Sequence, residues 1–335
     1  MPLICETDGG EMISVALTTY NGEKYILEQL ESIKKQTRSV DEVIVCDDGS
    51  TDTTIQLISE FIKINQLDTW KVFQNDENLG YSRNFFKAVR LCKGQYIFLC
   101  DQDDVWDKDK VKSFLSVMEG DEEIHAVSSN FTIINNIGEK TKKVSVTKKN
   151  REIQIQEVVG STNVKGCTMC IKKELDDFIA HDDLQVGLQL GHDWYYNFLA
   201  CLIGKNVAIT NFLLLYRVHG ENISLQRNQR KKILSTNKKK RVEIFEEMEV
   251  ACKTVLEKCE KKISVDTRKM EQINRMLQFC VVRKNYVAEK NISLISLLKY
   301  MQEYKIIGQG WKGAFHALLS DFLYANEING LLRWR

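Results

Sequence analysis

Along the first hundred residues, short apolar runs alternate with segments whose apolar side chains recur every three or four positions. Ile13-Ser14-Val15-Ala16-Leu17 reads as a strand and ends in the polar Thr18-Thr19-Tyr20-Asn21-Gly22. Ile26, Leu30 and Ile33 then predict an amphipathic helix. Val43-Ile44-Val45-Cys46 predicts a second strand, followed by a helix carrying Ile55, Ile58 and Ile62. Lys71-Val72-Phe73 gives a third strand, Phe85, Ala88 and Val89 mark a third helix, and Tyr96-Ile97-Phe98-Leu99-Cys100 a fourth strand. Apolar strands separated by helices predict an α/β fold with a mostly parallel sheet covered on both faces.

In such sheets ligands gather outside the carboxyl ends of the strands. The polar clusters of this chain fall there: Thr18 to Asn21, Asp47 to Asp52, and Asp101 to Asp104. Beyond Asp121 the pattern loosens. Ala126-Val127-Ser128, Val207-Ala208-Ile209 and Phe212-Leu213-Leu214-Leu215-Tyr216 are strand-like, and Trp194 to Leu202 is helical. After about Leu225 the chain becomes basic, then helical almost to its end.

Composition narrows the class. With 335 residues, 43% hydrophobic and 28% charged, the chain reads as globular. A net charge of +1 gives no global reason to expect nucleic acid. No run approaches the ~18 apolar residues of a spanning helix. The acids and Gly9-Gly10 near Met1 do not resemble a secretory signal. Ten cysteines scattered through strands and helices are expected to be buried free thiols of a reducing compartment, which makes the cytoplasm the expected location.

Asp101-Gln102-Asp103-Asp104 follows a buried strand directly. Clustered carboxylates repel one another unless a cation offsets them, and their oxygens suit Mg²⁺ or Mn²⁺ bridging to phosphate. The plainer alternative is that Asp104 or Asp107 caps the helix continuing through Val111 and Leu115. In Asp47-Asp48-Gly49-Ser50-Thr51-Asp52, Asp48 could accept hydrogen bonds from a base or ribose, while Ser50 or Asp52 caps the next helix. Gly308-Gln309-Gly310-Trp311-Lys312-Gly313 fits G-x-G-x-x-G but lacks a preceding strand, and Cys167-Thr168-Met169-Cys170 has no second pair at zinc spacing. The former is set aside as a dinucleotide site and the latter read as packing.

Taken in order, these segments closely resemble the family 2 glycosyltransferases, inverting enzymes of GT-A fold. Ile13 to Gly22 looks like the opening strand, and Val45 to Asp52 is similar to the nucleotide-recognition turn. Asn78-Leu79-Gly80-Tyr81-Ser82-Arg83-Asn84 matches the loop that brings an arginine to the donor, and Tyr96 to Asp104 the strand leading to the metal-binding Asp-x-Asp. The resemblance continues more loosely to about Ser224. It implies a catalytic domain over 1–225, with a nucleotide-sugar and metal half at about 12–118 and an acceptor half at 119–225, ahead of a helical region at 226–335. It also implies that Thr18 and Asp48 line the base pocket with Tyr20 nearby, that Arg83 holds the nucleotide, that Asp101 meets ribose or metal, and that Asp103 ligates the metal. Gly191-His192-Asp193-Trp194 makes Asp193 the candidate general base, with His192 a supporting group; a cap on the helix that follows is the plainer role, and the two can coexist. In Tyr216-Arg217-Val218-His219, His219 would complete the metal or pyrophosphate site, or be a satisfied surface histidine.

The expected reaction is inverting transfer from a nucleotide-sugar, with dTDP-rhamnose or a UDP-sugar as donor, to a glycan or polyprenyl-linked acceptor in bacterial surface polysaccharide synthesis. A nucleotidyltransferase acting on a sugar phosphate would need a glycine- and lysine-rich loop after the first strand, and Thr18 to Gly22 is not one. A non-catalytic nucleotide-sugar-binding subunit is the other alternative. The basic stretch Arg227 to Arg241 is either a solvated face or a contact with an anionic membrane surface, at the inner face of the plasma membrane. Trp311, Phe315, Leu318, Leu319, Phe322 and Leu323 either lie at that surface or pack on the catalytic domain.

Overall fold

The computed structural model describes residues 12–160, 164–178, 190–220, 238–260, 266–289, 293–307 and 310–326. The expected alternation is present. Strand β1 (Ile13–Thr19) leads to α1 (Ile26–Lys34), β2 (Glu42–Asp47) to α2 (Thr54–Ile64), β3 (Trp70–Gln74) to α3 (Tyr81–Leu91), and β4 (Tyr96–Asp101) through the short β5 (Val105–Trp106) to α4 (Lys110–Met118). There follow β6 (Ile124–Ile134), β7 (Lys140–Val144), β8 (Arg151–Glu152), α5 (Ile155–Gly160), β9 (Met169–Lys172), α6 (His192–Ile203) and β10 (Lys205–Arg217). The C-terminal part holds α7 (Lys238–Glu260), α8 (Thr267–Glu289), α9 (Leu294–Leu298), α10 (Met301–Ile307) and α11 (Trp311–Ala325).

The strands form one mixed sheet in the order β3-β2-β1-β4-β9-β6-β10-β5, with β7 on β6 and β8 on β10. The first four pair in parallel, and β9 runs antiparallel between β4 and β6. Alternation along each strand splits the core in two. Ala16, Ile44, Cys46, Ile97 and Leu99 face α3, α5 and α6. Val15, Leu17, Val43, Val45, Phe98 and Cys100 face α1, α2 and α4.

Two sequence expectations change. The strand-like pieces at 207–209 and 212–216 are one long strand, β10, whose register on β6 shifts between Ile209 and Phe212 and again before Leu215. Thr210, at the break, donates its N–H to Asn150 Oδ1 at 2.9 Å, so a side chain replaces the missing ladder partner. Cys167 and Cys170 belong to a 3₁₀ turn and the interior strand β9, a strand too short for its periodicity to stand out.

Cys46, Cys92, Cys100, Cys167, Cys170, Cys201, Cys252 and Cys280 are buried free thiols. Among the described residues no helix is long and apolar enough to cross a membrane. The C-terminal helices are not an appendage. Ala251, Cys252, Ile273, Phe279 and Ala314 belong to the same apolar cluster as Val158, Trp194 and Phe198. Of the helix-like end, Leu323 is buried and Leu318 partly so, whereas Trp311, Phe315, Leu319 and Phe322 are exposed. The basic stretch from Arg227 lies outside the described residues except for the start of α7.

Candidate active site

The parallel register sets Thr18 beside Asp101 and Thr19 beside Asp47, so all four stand at the carboxyl end of the sheet. Asp47 is fully buried and organises the turn after β2. Its carboxylate accepts the N–H groups of Gly49 and Ser50 and the hydroxyls of Thr19 and Ser50. Asp48 reaches the other way, accepting Asn75 Nδ2 at 2.8 Å, Leu79 N at 2.8 Å and Gly80 N at 2.9 Å. It ties β2 to the loop before α3 and so sets where Tyr81 and Arg83 begin. These bonds use three of about four acceptor sites of its carboxylate. Tyr20 is exposed, and Gln102 clamps its backbone by accepting its N–H at 2.8 Å and donating to its carbonyl at 3.0 Å. The Arg83 side chain, on the first turn of α3, makes no hydrogen bond or ion pair among the described residues.

The acids after β4 divide their work. Asp103 Oδ2 meets His219 Nε2 at 2.8 Å, joining two residues 116 positions apart. An ionised Asp103 would accept there from a protonated Nε2, since a carboxylate only accepts. The His219 ring also lies against Tyr25, centroids 4.9 Å apart. Asp104 is fully buried. Its Oδ1 accepts the Arg217 N–H at 3.0 Å, and its Oδ2 has no hydrogen-bond partner. Neither Asp104 nor Asp107 caps α4, whose N-cap position is Asp109. Ligand atoms of Asp101, Asp104 and Cys167 lie within 4.8 Å of one another.

Electrostatically the cluster is overloaded with negative charge. Burial, the Asp103 carboxylate and, less strongly, Asp193 raise Asp101 to about 7 against the opposing Cys167 thiol and Lys165. Burial, then Asp103 and Asp101, hold Asp104 well above the usual carboxyl range. Arg217 does not relieve this. Its guanidinium is spent on the Asp103 carbonyl at 2.8 Å and on Glu28, and it stacks over Tyr25. Lys110 is fully buried, donating to the Cys167 carbonyl at 2.7 Å over the Trp106 ring. Burial lowers its pKa. Excess carboxylate around an unsatisfied buried oxygen fits a hard divalent cation, with oxygen donors from Asp101 and Asp104.

Asp193 sits in the first turn of α6, on the face of the sheet that Asp101 shares with Ile97 and Leu99, and its charge reaches Asp101. Gly191 and Gly80 start α6 and α3 at φ 84° and 81°. At Gly191 a Cβ would lie 2.7 Å from Asp193 Oδ1 and 3.4 Å from the Tyr81 hydroxyl, so the first residues of α3 and α6 meet around Gly191. Asp193 Oδ1 also accepts the Trp194 N–H at 2.9 Å, a helix-end contact beside any chemical one. His192 is buried and stacks on Phe85 at 3.8 Å, with neither ring nitrogen hydrogen-bonded. Burial takes its pKa down to about 3, so it stays neutral and wedges α6 in place.

The structure therefore brings Thr18, Asp48, Asp101, Asp103, Asp193 and His219 to one end of the sheet. Arg217, Lys110 and Gln102 join them without having been singled out, and Cys167, read from the sequence as packing, joins them too. Cys167 is more than packing, since its thiol touches the acid cluster. Only Gln102 carried a local signal, its place inside the Asp-x-Asp.

Residues 14–178 match the sequence family described as glycosyl transferase family 2. The dTDP-rhamnosyl transferase RfbG of Shigella flexneri is 30% identical over 246 residues, covering 68% of this chain and 82% of that one. Among solved structures, Staphylococcus aureus TarS 1–349 in complex with UDP-GlcNAc aligns at TM-score 0.60 and 17% identity, over 95% of this chain and 89% of the other. The mannosyltransferase PcManGT from Pyrobaculum calidifontis, in complex with GDP-Man and Mn²⁺, aligns at 0.52 and 16%, over 98% and 89%. These alignments run through the C-terminal helices, where the sequence resemblance stops.

Proposed function

The chain belongs to glycosyl transferase family 2, and from that premise we propose that it carries a sugar from a nucleoside-diphosphate donor to an acceptor hydroxyl with inversion at the anomeric carbon. The donor is dTDP-rhamnose or a UDP-sugar. The acceptor is a glycan or polyprenyl-linked glycan of a bacterial surface polysaccharide, reached from the inner face of the plasma membrane. The carrying observation is the convergence of Asp193 and the Asp101–Asp104 cluster on one end of the sheet.

Thr18 and Asp48 would line the base pocket beside Tyr20, with Arg83 free to meet the diphosphate. Asp101 and Asp103 would hold Mg²⁺ or Mn²⁺, with His219 keeping Asp103 in place or completing the site itself. A bound divalent ion would offset the charge that grows on the departing nucleoside diphosphate. Asp193, ionised, would accept the proton of the acceptor hydroxyl as that oxygen attacks, so a single displacement needs no covalent intermediate.

Titration calorimetry with UDP-, dTDP- and GDP-sugars, with and without Mn²⁺, tests this reading. Binding of one nucleotide class that strengthens at least tenfold with Mn²⁺ is the expected result. Absence of binding by every donor, or indifference to metal, would overturn it.

A further inference from the structure

Helix α11 is buried on one side and bare on the other. Ala314, Asp321 and Leu323 face inward. Trp311, Phe315, Leu319 and Phe322 are spaced by four, four and three, which confines them to about 80° of helix circumference. They are 48%, 62%, 52% and 37% exposed. Single exposed apolar residues are ordinary, but a row of them is uncommon on a soluble surface. Helix α9, which like α11 packs on α8, adds exposed Leu294, Ile295 and Leu298.

The charge around this row says what covers it. The acids among the described residues from 293 to 326 are Glu303 and Asp321, both buried and both paired, with Arg275 and Arg283 respectively. The remaining charged residues there, Lys299, Lys305 and Lys312, are all exposed. Lys305 holds its ammonium 5.0 Å from the centre of the Trp311 ring. An apolar row ending in a tryptophan and accompanied by lysines, with the acids withdrawn beneath it, matches the interface of an anionic bilayer. Its acyl region takes the side chains and its headgroups take the ammonium groups.

We propose that the outer face of α11, with Lys299, Lys305 and Lys312, docks this protein on an anionic lipid surface. The inference deepens the reading of a lipid-linked acceptor given above, and rests on it for its purpose. Its test does not use the transfer reaction.

Co-sedimentation of the full chain with vesicles at physiological salt is the experiment. Binding to phosphatidylglycerol-containing vesicles is expected to exceed binding to pure phosphatidylcholine vesicles at least tenfold. The double variant Phe315→Glu/Leu319→Glu is expected to lose at least tenfold in vesicle binding while keeping its melting temperature and donor affinity. Lys305→Gln/Lys312→Gln should lose the preference for anionic lipid, and Asp193→Asn should bind vesicles as the natural protein does. A natural protein that ignores anionic vesicles but still binds donor would overturn the docking surface and leave the proposed reaction standing. Undiminished vesicle binding by Phe315→Glu/Leu319→Glu would also overturn it. So would a dimer, detected by light scattering, that this variant abolishes, because the row would then be an interface between copies.

Discussion

At the scale of single residues, the site sorts into groups that hold charge and groups that hold position. Asp101, Asp103 and Asp104 crowd negative charge beyond what Arg217 and Lys110 offset, whereas His192 carries no charge at all. Stacked on Phe85 and pressed against Gly166, it stays neutral down to a pKa of about 3, against an ordinary value of 6.5. The unfolded chain takes up a proton on this histidine below pH 6.5 and the folded one does not, so stability is lost as pH falls from 6.5 towards 3. At about 1.4 kcal/mol per pH unit the penalty reaches about 2 kcal/mol at pH 5. His192→Phe should therefore show a flatter dependence of melting temperature on pH between 7 and 5, measured by calorimetry. An unchanged slope would mean that His192 is protonated in the fold. Asp101 and Asp103 were legible in the sequence because they are neighbours in the chain. Arg217, Lys110 and Cys167 were not, because each matters through a partner brought close only by the fold, such as Asp104 at 113 positions' remove.

Elements deliver these residues through their ends. Both α3 and α6 begin at a glycine whose backbone lies where other residues are strained, and Gly191 lies against the Asp193 carboxylate. Alanine at Gly191 would combine about 1–3 kcal/mol of backbone strain with a Cβ 2.7 Å from Asp193 Oδ1. Gly191→Ala is accordingly expected to lower kcat at least tenfold with KM for the donor nearly unchanged. A normal kcat would separate Asp193 from the reaction. The helices and parallel strands of the first half were readable because their periods of 3.6 and 2 are regular and their ends carry turn residues. The second half was less so. In β10 a bulged register interrupts the pattern at Thr210, and β9 enters the sheet with only four residues.

For the whole molecule, the shared apolar cluster makes the C-terminal helices part of the same fold as the sheet. Those helices are tied to one another by a buried network in which Asp321 receives Arg283 at 2.6 and 3.1 Å and the Tyr304 hydroxyl at 2.6 Å. Asp321→Ala would leave a buried guanidinium unpaired, at a cost of about 3–5 kcal/mol. Calorimetry should record one cooperative transition in both proteins, lowered in the variant. Two separate transitions would contradict a common core. Such docking was not readable beforehand, since amphipathic helices look alike whether their apolar face meets the same chain or another surface.

The account turns on Asp193 taking a proton beside a donor held by the acid cluster. Its most direct test pairs two readings on Asp193→Asn: donor affinity by calorimetry with Mn²⁺, and sugar transfer to acceptor under the same conditions. Donor affinity within about threefold of the natural protein, with transfer reduced at least a thousandfold, is the predicted result, within reach of the loss expected for a general base. Transfer at the natural rate in this variant would contradict it.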